Sequence, residues 1–509
     1  MPRLSLTEMA NQTTGVQLTQ TRRMVLMLVG LAIIMFSLFA LIASDTDKWS
    51  RHLETLSDKW QYAVPNRPSR IVPHCTGLES EPTIMLGDLP GFLVLDNLWF
   101  HEDTFYLFAE KPEDMPDKDR AMSGPFGWEV RPFEDMPLLF ERNQSICLEG
   151  SSLLLVDHPQ WGEDGQYTGY SHYYHLFGEG FMGALAALEA AVEPIVDQSR
   201  PELGESLWPQ PYLNTTIDSR FRSEEYTWAH GKAHHGVEFD RMVIPWISDW
   251  RDSHGINSFL FNHIYGKTTV EAAEWEEWRE EGLWVSMRRV VIADRWAAAR
   301  YSPPVEGWYR QALSALSLPF SHLFFERTRA KLLNSLEIPA LLRPSLGKSL
   351  RKIPKILYVS RQSSNRKFTE QTHNALMDVL SHFEETGKAK IDYVKWEGLS
   401  KKSQVKMSSD ADIYLGVHGN GMTHQLWMPP GGKVVECFPL DTFTRDYQII
   451  AEFLGHDHHL IWGNRVVPQT EWDEGQAGDY SSIWSGRPIP LDVDFMRNLL
   501  QNLLNEMIL

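Results

Sequence analysis

The clearest rhythm of apolar and polar positions lies in the last third of the chain. Short apolar runs at Lys355–Ser360, Lys390–Lys395, Asp412–Val417, Lys433–Phe438 and His458–Trp462 alternate with stretches of helical period at Thr369–Phe383, Ser400–Met407 and Thr444–Leu454. Strand and helix in strict alternation predict a doubly wound parallel α/β sheet. Such sheets bind ligands beyond the carboxyl ends of their strands. The stretch His418-Gly419-Asn420-Gly421-Met422 occupies that place, between one apolar run and a helix-like segment that a Pro-Gly stop ends at Pro430-Gly431.

Upstream the pattern is less regular. Gly91–Leu95, Thr104–Phe108, Ser152–Val156, Phe239–Pro245 and Val290–Trp296 read as strands. Thr268–Glu281 reads as an acidic helix with Trp275 and Trp278 on its packed side, and a helix starting near His172 places Phe181, Leu185, Leu188 and Val192 on one face. Prolines 319, 339 and 344 break the helical pattern of residues 303–350, where a domain boundary is expected. The tail Asp492–Leu509 predicts an amphipathic helix through Phe495, Leu499, Leu503 and Met507, packing back across the domain gap.

Met24–Ala43 carries no charge and is long enough to span a bilayer. Arg22 and Arg23 before it, and Asp45 and Asp47 after it, orient it with the amino terminus in the cytosol; a cleavable signal peptide is the competing reading, disfavoured by the length of the apolar run and the lack of a small-x-small cleavage site. The expected organisation is a cytosolic tail (1–23), a transmembrane anchor (24–43), a stem (44–85), an amino-terminal α/β domain (86–335) and a carboxy-terminal α/β domain (336–509). Sequons at Asn143 and Asn214 agree with lumenal exposure, whereas Asn11 falls on the cytosolic side. Golgi or ER membrane is the expected location, the Golgi being favoured by the lack of a retrieval ending.

A formal charge of −19 over 509 residues excludes non-specific nucleic-acid binding, because a polyphosphate would be repelled. The average conceals a reversal: residues 341–410 hold 14 Lys and Arg against 7 Asp and Glu. A basic segment just ahead of the glycine loop points to a focused anionic ligand. Of three cysteines, Cys75 and Cys147 can pair in an oxidising compartment, and Cys437 sits in a buried strand pattern.

The loop from His418 to Met422 leads into a helix amino terminus, whose free N–H groups suit a diphosphate. Arg361 follows its strand directly and Arg366 lies five residues on, at the same sheet edge, so both guanidinium groups can clamp phosphate oxygens. Glu436 ends the next strand, where a carboxylate can accept from ribose hydroxyls. His424 reads as a packing or capping residue. His175 and Glu179 flank a helix start, where titratable groups stay accessible for acid/base work. The string Gly178-x-Gly180-x-x-Gly183 matches a dinucleotide fingerprint literally, but Glu179 would occupy the phosphate nest and the preceding residues make a poor buried strand. Asp410-x-Asp412 and Asp492-x-Asp494 resemble metal-holding pairs, yet the first enters its strand at the wrong sheet edge. No metal site is assigned. No Gly-x-Ser-x-Gly elbow is present.

At Val359-Ser-Arg361 through Arg366, at Gly416–Thr423 and at Pro430–Glu436, the chain resembles glycosyltransferase family 61, which includes plant xylosyl- and arabinosyltransferases and animal O-linked N-acetylglucosaminyltransferases. His175-x-Phe-Gly-Glu179 is similar to the family's His-Phe-x-Gly-Glu block. Asn420 stands where members typically have Ala, and His424 where many have Asn. The resemblance implies a GT-B-like architecture of two Rossmann-like domains facing a cleft, and inversion at the anomeric carbon. It implies a UDP-sugar donor, xylose or N-acetylglucosamine, a glycan or glycoprotein acceptor, and no obligatory metal. Arg361, Arg366, His418, Gly419, Asn420, Gly421, Met422 and Glu436 would hold the donor; Glu179 would be the base, with His175 orienting or replacing it. A catalytically inactive glycan-binding relative, acting as receptor or scaffold, is the alternative; a lumenal hydrolase, releasing sugar without any nucleotide, is a third reading.

Overall fold

The alternation of the last third folds as its pattern requires. In a computed structural model the described residues are 81–124, 126–136, 145–156, 170–192, 237–245, 250–301, 310–318, 320, 322–343, 347–440, 442–471 and 486–508. The apolar run Met24–Ala43, most of the stem, Cys75 and the three sequon asparagines lie outside them. Among the described residues no helix is long and apolar enough to cross a membrane.

The first half carries β1 (Ile84–Leu89), β2 (Phe92–His101), β3 (Thr104–Ala109), β4 (Gly127–Pro132), β5 (Ser145–Val156), β6 (Arg241–Ile244), β7 (Thr269–Glu271) and β8 (Trp284–Asp294). They form a mixed sheet in the order β4-β3-β2-β8-β5-β6-β7, with β1 paired to β2. Strands β8, β5, β6 and β7 run parallel, whereas β2 is antiparallel to β8 and to β3. This half is therefore only in part a doubly wound sheet, since the hairpin-linked strands at one side replace parallel crossovers.

The second half has β9 (Lys355–Val359), β10 (Lys390–Val394), β11 (Ile413–Val417), β12 (Lys433–Cys437), β13 (Asp457–Trp462) and the short β14 (Arg465–Val466). Their order is β10-β9-β11-β12-β13-β14, parallel as far as β13. The order reverses between β9 and β11, so the chain leaves those two strands toward opposite faces and opens a crevice at their carboxyl ends. Two halves of sheet and helix are consistent with a GT-B-like α/β fold.

The helices begin where the sequence signals them. Thr369, Ser400 and Asp492 cap the helices Glu370–Glu385, Lys401–Ser409 and Val493–Met507, each side chain accepting from the backbone N–H three residues on. The last helix does not bridge the domains as expected. Met496, Leu500, Leu503, Leu504 and Met507 pack against Leu376, Val379, Leu380 and Phe383 on the outer face of the second sheet.

One central core runs through both halves, from Phe92 and Leu153 through Phe177, Phe325 and Trp427 to Ile450 and Phe453. The segment Tyr174–Phe181 is π-helical and continues as α1 (Met182–Val192) through the middle of that core. Residues 173–190 are buried on every side, so the expected one-sided apolar stripe is absent. Its glycines serve packing. A Cβ on Gly178 would lie 2.7 Å from Ile450 Cδ1, on Gly180 2.7 Å from Tyr170 Cε1, and on Gly183 2.3 Å from Phe92 Cζ. The dinucleotide match is thus a close-packing motif.

Candidate active site

The loop after β11 turns at Gly419, with φ of +151°, into a short 3-10 helix over Asn420–Trp427. A Cβ at Gly419 would stand 1.5 Å from Arg361 Nη1. The glycine is required because the Arg361 guanidinium lies directly on the backbone of the loop. That arginine leaves β9, the strand beside β11, so the strand order itself joins the two. Asn420 and Gly421 form the half-buried tip, with the Trp396 ring packed against Gly421, where a Cβ would lie 2.9 Å from its Cδ1. Met422 does not belong with them: its amide donates to Gly419 O at 2.8 Å and its side chain is buried under Gly416. Beneath the tip, Tyr414 donates its hydroxyl to Gly421 O at 2.6 Å and receives Trp396 Nε1 at 3.2 Å, which fixes the turn from below.

Arg361 and Arg366 are both half-buried. Among the described residues Arg361 has no ion-pair partner; its Nε donates to Ser364 Oγ at 3.3 Å. Burial, reinforced by the neighbouring Arg366, pulls its pKa down to about 10. A guanidinium desolvated without a carboxylate is stabilised by an incoming anion.

Glu436 departs from the sequence expectation. It is fully buried, with Oε1 hydrogen-bonded to His418 Nδ1 at 2.6 Å and Oε2 to His458 Nε2 at 2.8 Å. Both oxygens are taken, so the carboxylate fixes His418 rather than receiving a ribose. The His418 ring stacks on Phe438, with centroids 4.6 Å apart, and meets Tyr447 at 5.1 Å. His424 packs between Tyr173 and Trp396, as its place in the helix implied.

His175 and Glu179 form a pair, Nδ1 to Oε2 at 2.8 Å, one turn apart. They are not the accessible groups expected at a helix start. The side chains are 9% and 1% exposed, because the helix enters the central core at once. Arg295, at the carboxyl end of β8, lies 3.2 Å from Glu179 Oε2. Burial raises the Glu179 carboxyl to about 7 against the opposing effect of Arg295, and lowers His175 well below the ordinary imidazole range. The buried carboxylate, bonded to the imidazole, fixes the orientation of that ring.

The two clusters adjoin. Tyr174, next to His175, packs edge-on against Tyr447, with ring centroids 5.5 Å apart, and Tyr447 in turn meets His418. Asp446 opens the helix Asp446–Phe453 and accepts from Thr444 Oγ1 at 2.8 Å. Burial raises it to about 7, and the charges of Glu179 from one half and Glu436 from the other push the same way. His172 feels Arg295 from the first half and Arg366 from the second. Sequence reasoning missed Arg295, Asp446, Tyr447 and His172. Arg295 and Asp446 follow strands at the carboxyl edge, the criterion that found Arg361.

The aspartate pairs are structural. Asp412 accepts from Ser349 Oγ at 3.0 Å, Arg351 Nη1 at 3.0 Å and the amides of Leu350 and Lys355 at 2.9 Å, and is paired with the buried Arg343. Asp410 pairs with Arg351 and Lys355, Asp492 is a helix cap, and Asp494 pairs with Arg497. The histidines of 456–459 diverge: His456 Nδ1 receives Gly432 N at 2.9 Å, His458 binds Glu436, and His459 binds Asp457 at 3.0 Å. Cys147 is disulfide-bonded and Cys437 is a buried free thiol.

The family model described as Glycosyltransferase 61 matches residues 173–435, just over half of the chain. Among curated proteins, the EGF domain-specific O-linked N-acetylglucosamine transferase of Gallus gallus is 27% identical over 128 residues, 25% of this chain and 23% of that protein. The Mus musculus counterpart is 29% identical over 130 residues, covering 25% and 23%. That of Drosophila melanogaster is 26% identical over 131 residues, covering 25% and 24%. The match spans about a quarter of the length of these relatives.

Proposed function

The chain belongs to glycosyltransferase family 61, and on that premise we propose that it moves a sugar from a UDP-sugar to a glycan or glycoprotein acceptor, with inversion at the anomeric carbon. The observation that carries this reading is the Arg361 guanidinium seated on Gly419, without an ion-pair partner among the described residues, at the strand-order reversal of a parallel sheet. The donor diphosphate docks on the tip at Asn420 and Gly421, with Arg361 and Arg366 taking up the charge that grows as it departs. His418, held by Glu436, which His458 fixes in turn, lines the floor. No metal is needed for this charge balance, since two guanidinium groups face one diphosphate.

The reacting hydroxyl enters from the other half, where Arg295, Glu179 and His175 are arranged. Glu179 is the anchor of that group and His175 its imidazole, so the catalytic proton passes to a histidine rather than to the carboxylate. N-acetylglucosamine is the favoured donor sugar because the relatives are named for its transfer; xylose is the second. A single-pass anchor at 24–43, a stem to residue 85 and lumenal sequons are consistent with action in the Golgi or ER, the two sheets serving as acceptor-side and donor-side domains.

Titration of the purified protein with UDP, followed by a panel of UDP-sugars read for donor hydrolysis, tests the proposal. Micromolar UDP binding with turnover of one donor is expected. Absence of UDP binding refutes it.

A further inference from the structure

Three imidazoles stand where the two clusters adjoin, and two of them are pinned. His175 is held by Glu179 and His418 by Glu436, each through Nδ1. The third is His172, two residues ahead of the π-helical turn. Its ring lies 4.9 Å from that of His175, with planes 48° apart. The residue is only half-buried, and its Nδ1 has no hydrogen-bond partner among the described residues. No carboxylate fixes its tautomer, so either ring nitrogen can carry the proton.

The charged and titratable groups that face it come from four places. They are His175 in its own segment, Arg295 at the end of β8, His254 in the exposed loop before the helix Ile256–Ile264, and Arg366 in the loop after β9. His172 therefore touches the Glu179 cluster through His175 and feels the charge of Arg366 from the other half. In the transferase reading the sugar carried by a diphosphate on Arg361 and Arg366 comes between the two.

We propose that His172 is the general base of the transfer, taking the proton of the attacking hydroxyl. This inference rests on the transferase reading above. The hydroxyl oxygen forms a bond to the anomeric carbon, the bond from that carbon to the diphosphate oxygen breaks, and its electron pair leaves with the UDP. The hydroxyl proton passes to a ring nitrogen of His172 and from there to solvent. His175, Glu179 and Arg295 position the ring.

The electrostatics make this base conditional on the donor. Burial, and then the neighbouring His175 ring, the guanidinium charges of Arg295 and Arg366, and His254, hold His172 neutral with a pKa of about 3. A diphosphate on Arg366 offsets that guanidinium's share of the effect, so the imidazole gains basicity when the donor binds.

The test uses the full chain, with UDP and UDP-N-acetylglucosamine as probes. H172Q is expected to bind UDP within about twofold of the unsubstituted protein and to hydrolyse the donor at least about 100-fold more slowly. Sodium azide, a nucleophile with no proton to lose, is expected to restore turnover as glycosyl azide. Unchanged hydrolysis, or a loss that azide does not restore while UDP still binds, overturns the proposal and leaves the transferase reading intact. Failure of the unsubstituted protein to bind UDP overturns both. A second measurement needs no variant: the acid limb of kcat, which reports the donor complex, is expected at higher pH than the acid limb of kcat/KM. Coincident limbs, or the reverse order, overturn the donor-dependent base.

Discussion

Gly419→Ala offers the sharpest probe of the phosphate site, because the space for the new methyl group is already occupied. The added Cβ would lie 1.5 Å from Arg361 Nη1 and 2.4 Å from Cζ. Ordinary contact needs about 3.5 Å, so the guanidinium must retreat by about 2 Å. It then no longer reaches an anion at the tip of the loop. A lost charge-assisted hydrogen bond weakens UDP binding by about 1.5–3 kcal/mol, roughly a 10- to 160-fold rise in Kd. The backbone adds a folding cost of about 1–3 kcal/mol, since φ of +151° suits only glycine. Isothermal titration of G419A, of R361A and of the double variant separates these effects. If the methyl acts by displacing Arg361, the double variant binds UDP within about 0.5 kcal/mol of R361A alone. Wild-type affinity in G419A, or losses that simply add, would show that the arginine does not contact the ligand from this position.

Other expectations follow from the same contacts. Glu179→Gln should abolish transfer while preserving UDP affinity, because the carboxylate positions His175 and touches no phosphate. The same variant has a signature in stability. Glu179 titrates near 7 when folded against 4.5 as a free side chain, so the folded state holds the extra proton and loses stability as pH rises from about 4.5 to about 7. Thermal melting should show a shallower decline in E179Q across that window, and parallel curves would contradict the burial. Gly183→Ala, forcing a methyl to within 2.3 Å of Phe92 Cζ, should destabilise by about 1–3 kcal/mol in chemical denaturation. Its UDP affinity should not change, which a true dinucleotide fingerprint would not allow. Asp412→Asn, breaking a buried pair with Arg343, should cost about 3–5 kcal/mol of stability, and manganese should neither restore nor worsen it.

The second half was legible because parallel strands and crossover helices write their period into the chain, and because Thr369, Ser400 and Asp492 are strong caps. The placement of Arg361 over the glycine loop also followed, since strand order brings residues after adjacent strands together. What failed was the exposure of polar groups. Glu436 and Glu179 look like surface carboxylates in sequence, yet each is buried and satisfied by histidines distant or helical in register. Burial depends on what packs above an element, and one segment's period carries no such information. The all-round burial of α1 was hidden for a related reason. Its alanines and glycines are small on every face, which gives no stripe to read.

The central core explains how two halves can share one reaction centre. Trp427, which ends the short helix behind the phosphate loop, donates Nε1 to Tyr173 OH at 2.8 Å and packs against Phe177 and Phe325. Tyr173 is the neighbour of His172. Gly178 closes the same contact by admitting Ile450 of the helix that begins at Asp446. The glycine loop after β11 and the histidine cluster are therefore two ends of one packed unit. Their separation is set by close-packed side chains that resist displacement. A base and a leaving group held in this way need no large closure of one half on the other to meet across a sugar. Fixed placement of that kind lowers the entropic part of a barrier before any substrate arrives. In the transfer proposed above, the chemistry then waits on charge, which a donor would bring as its phosphates settled against Arg361 and Arg366.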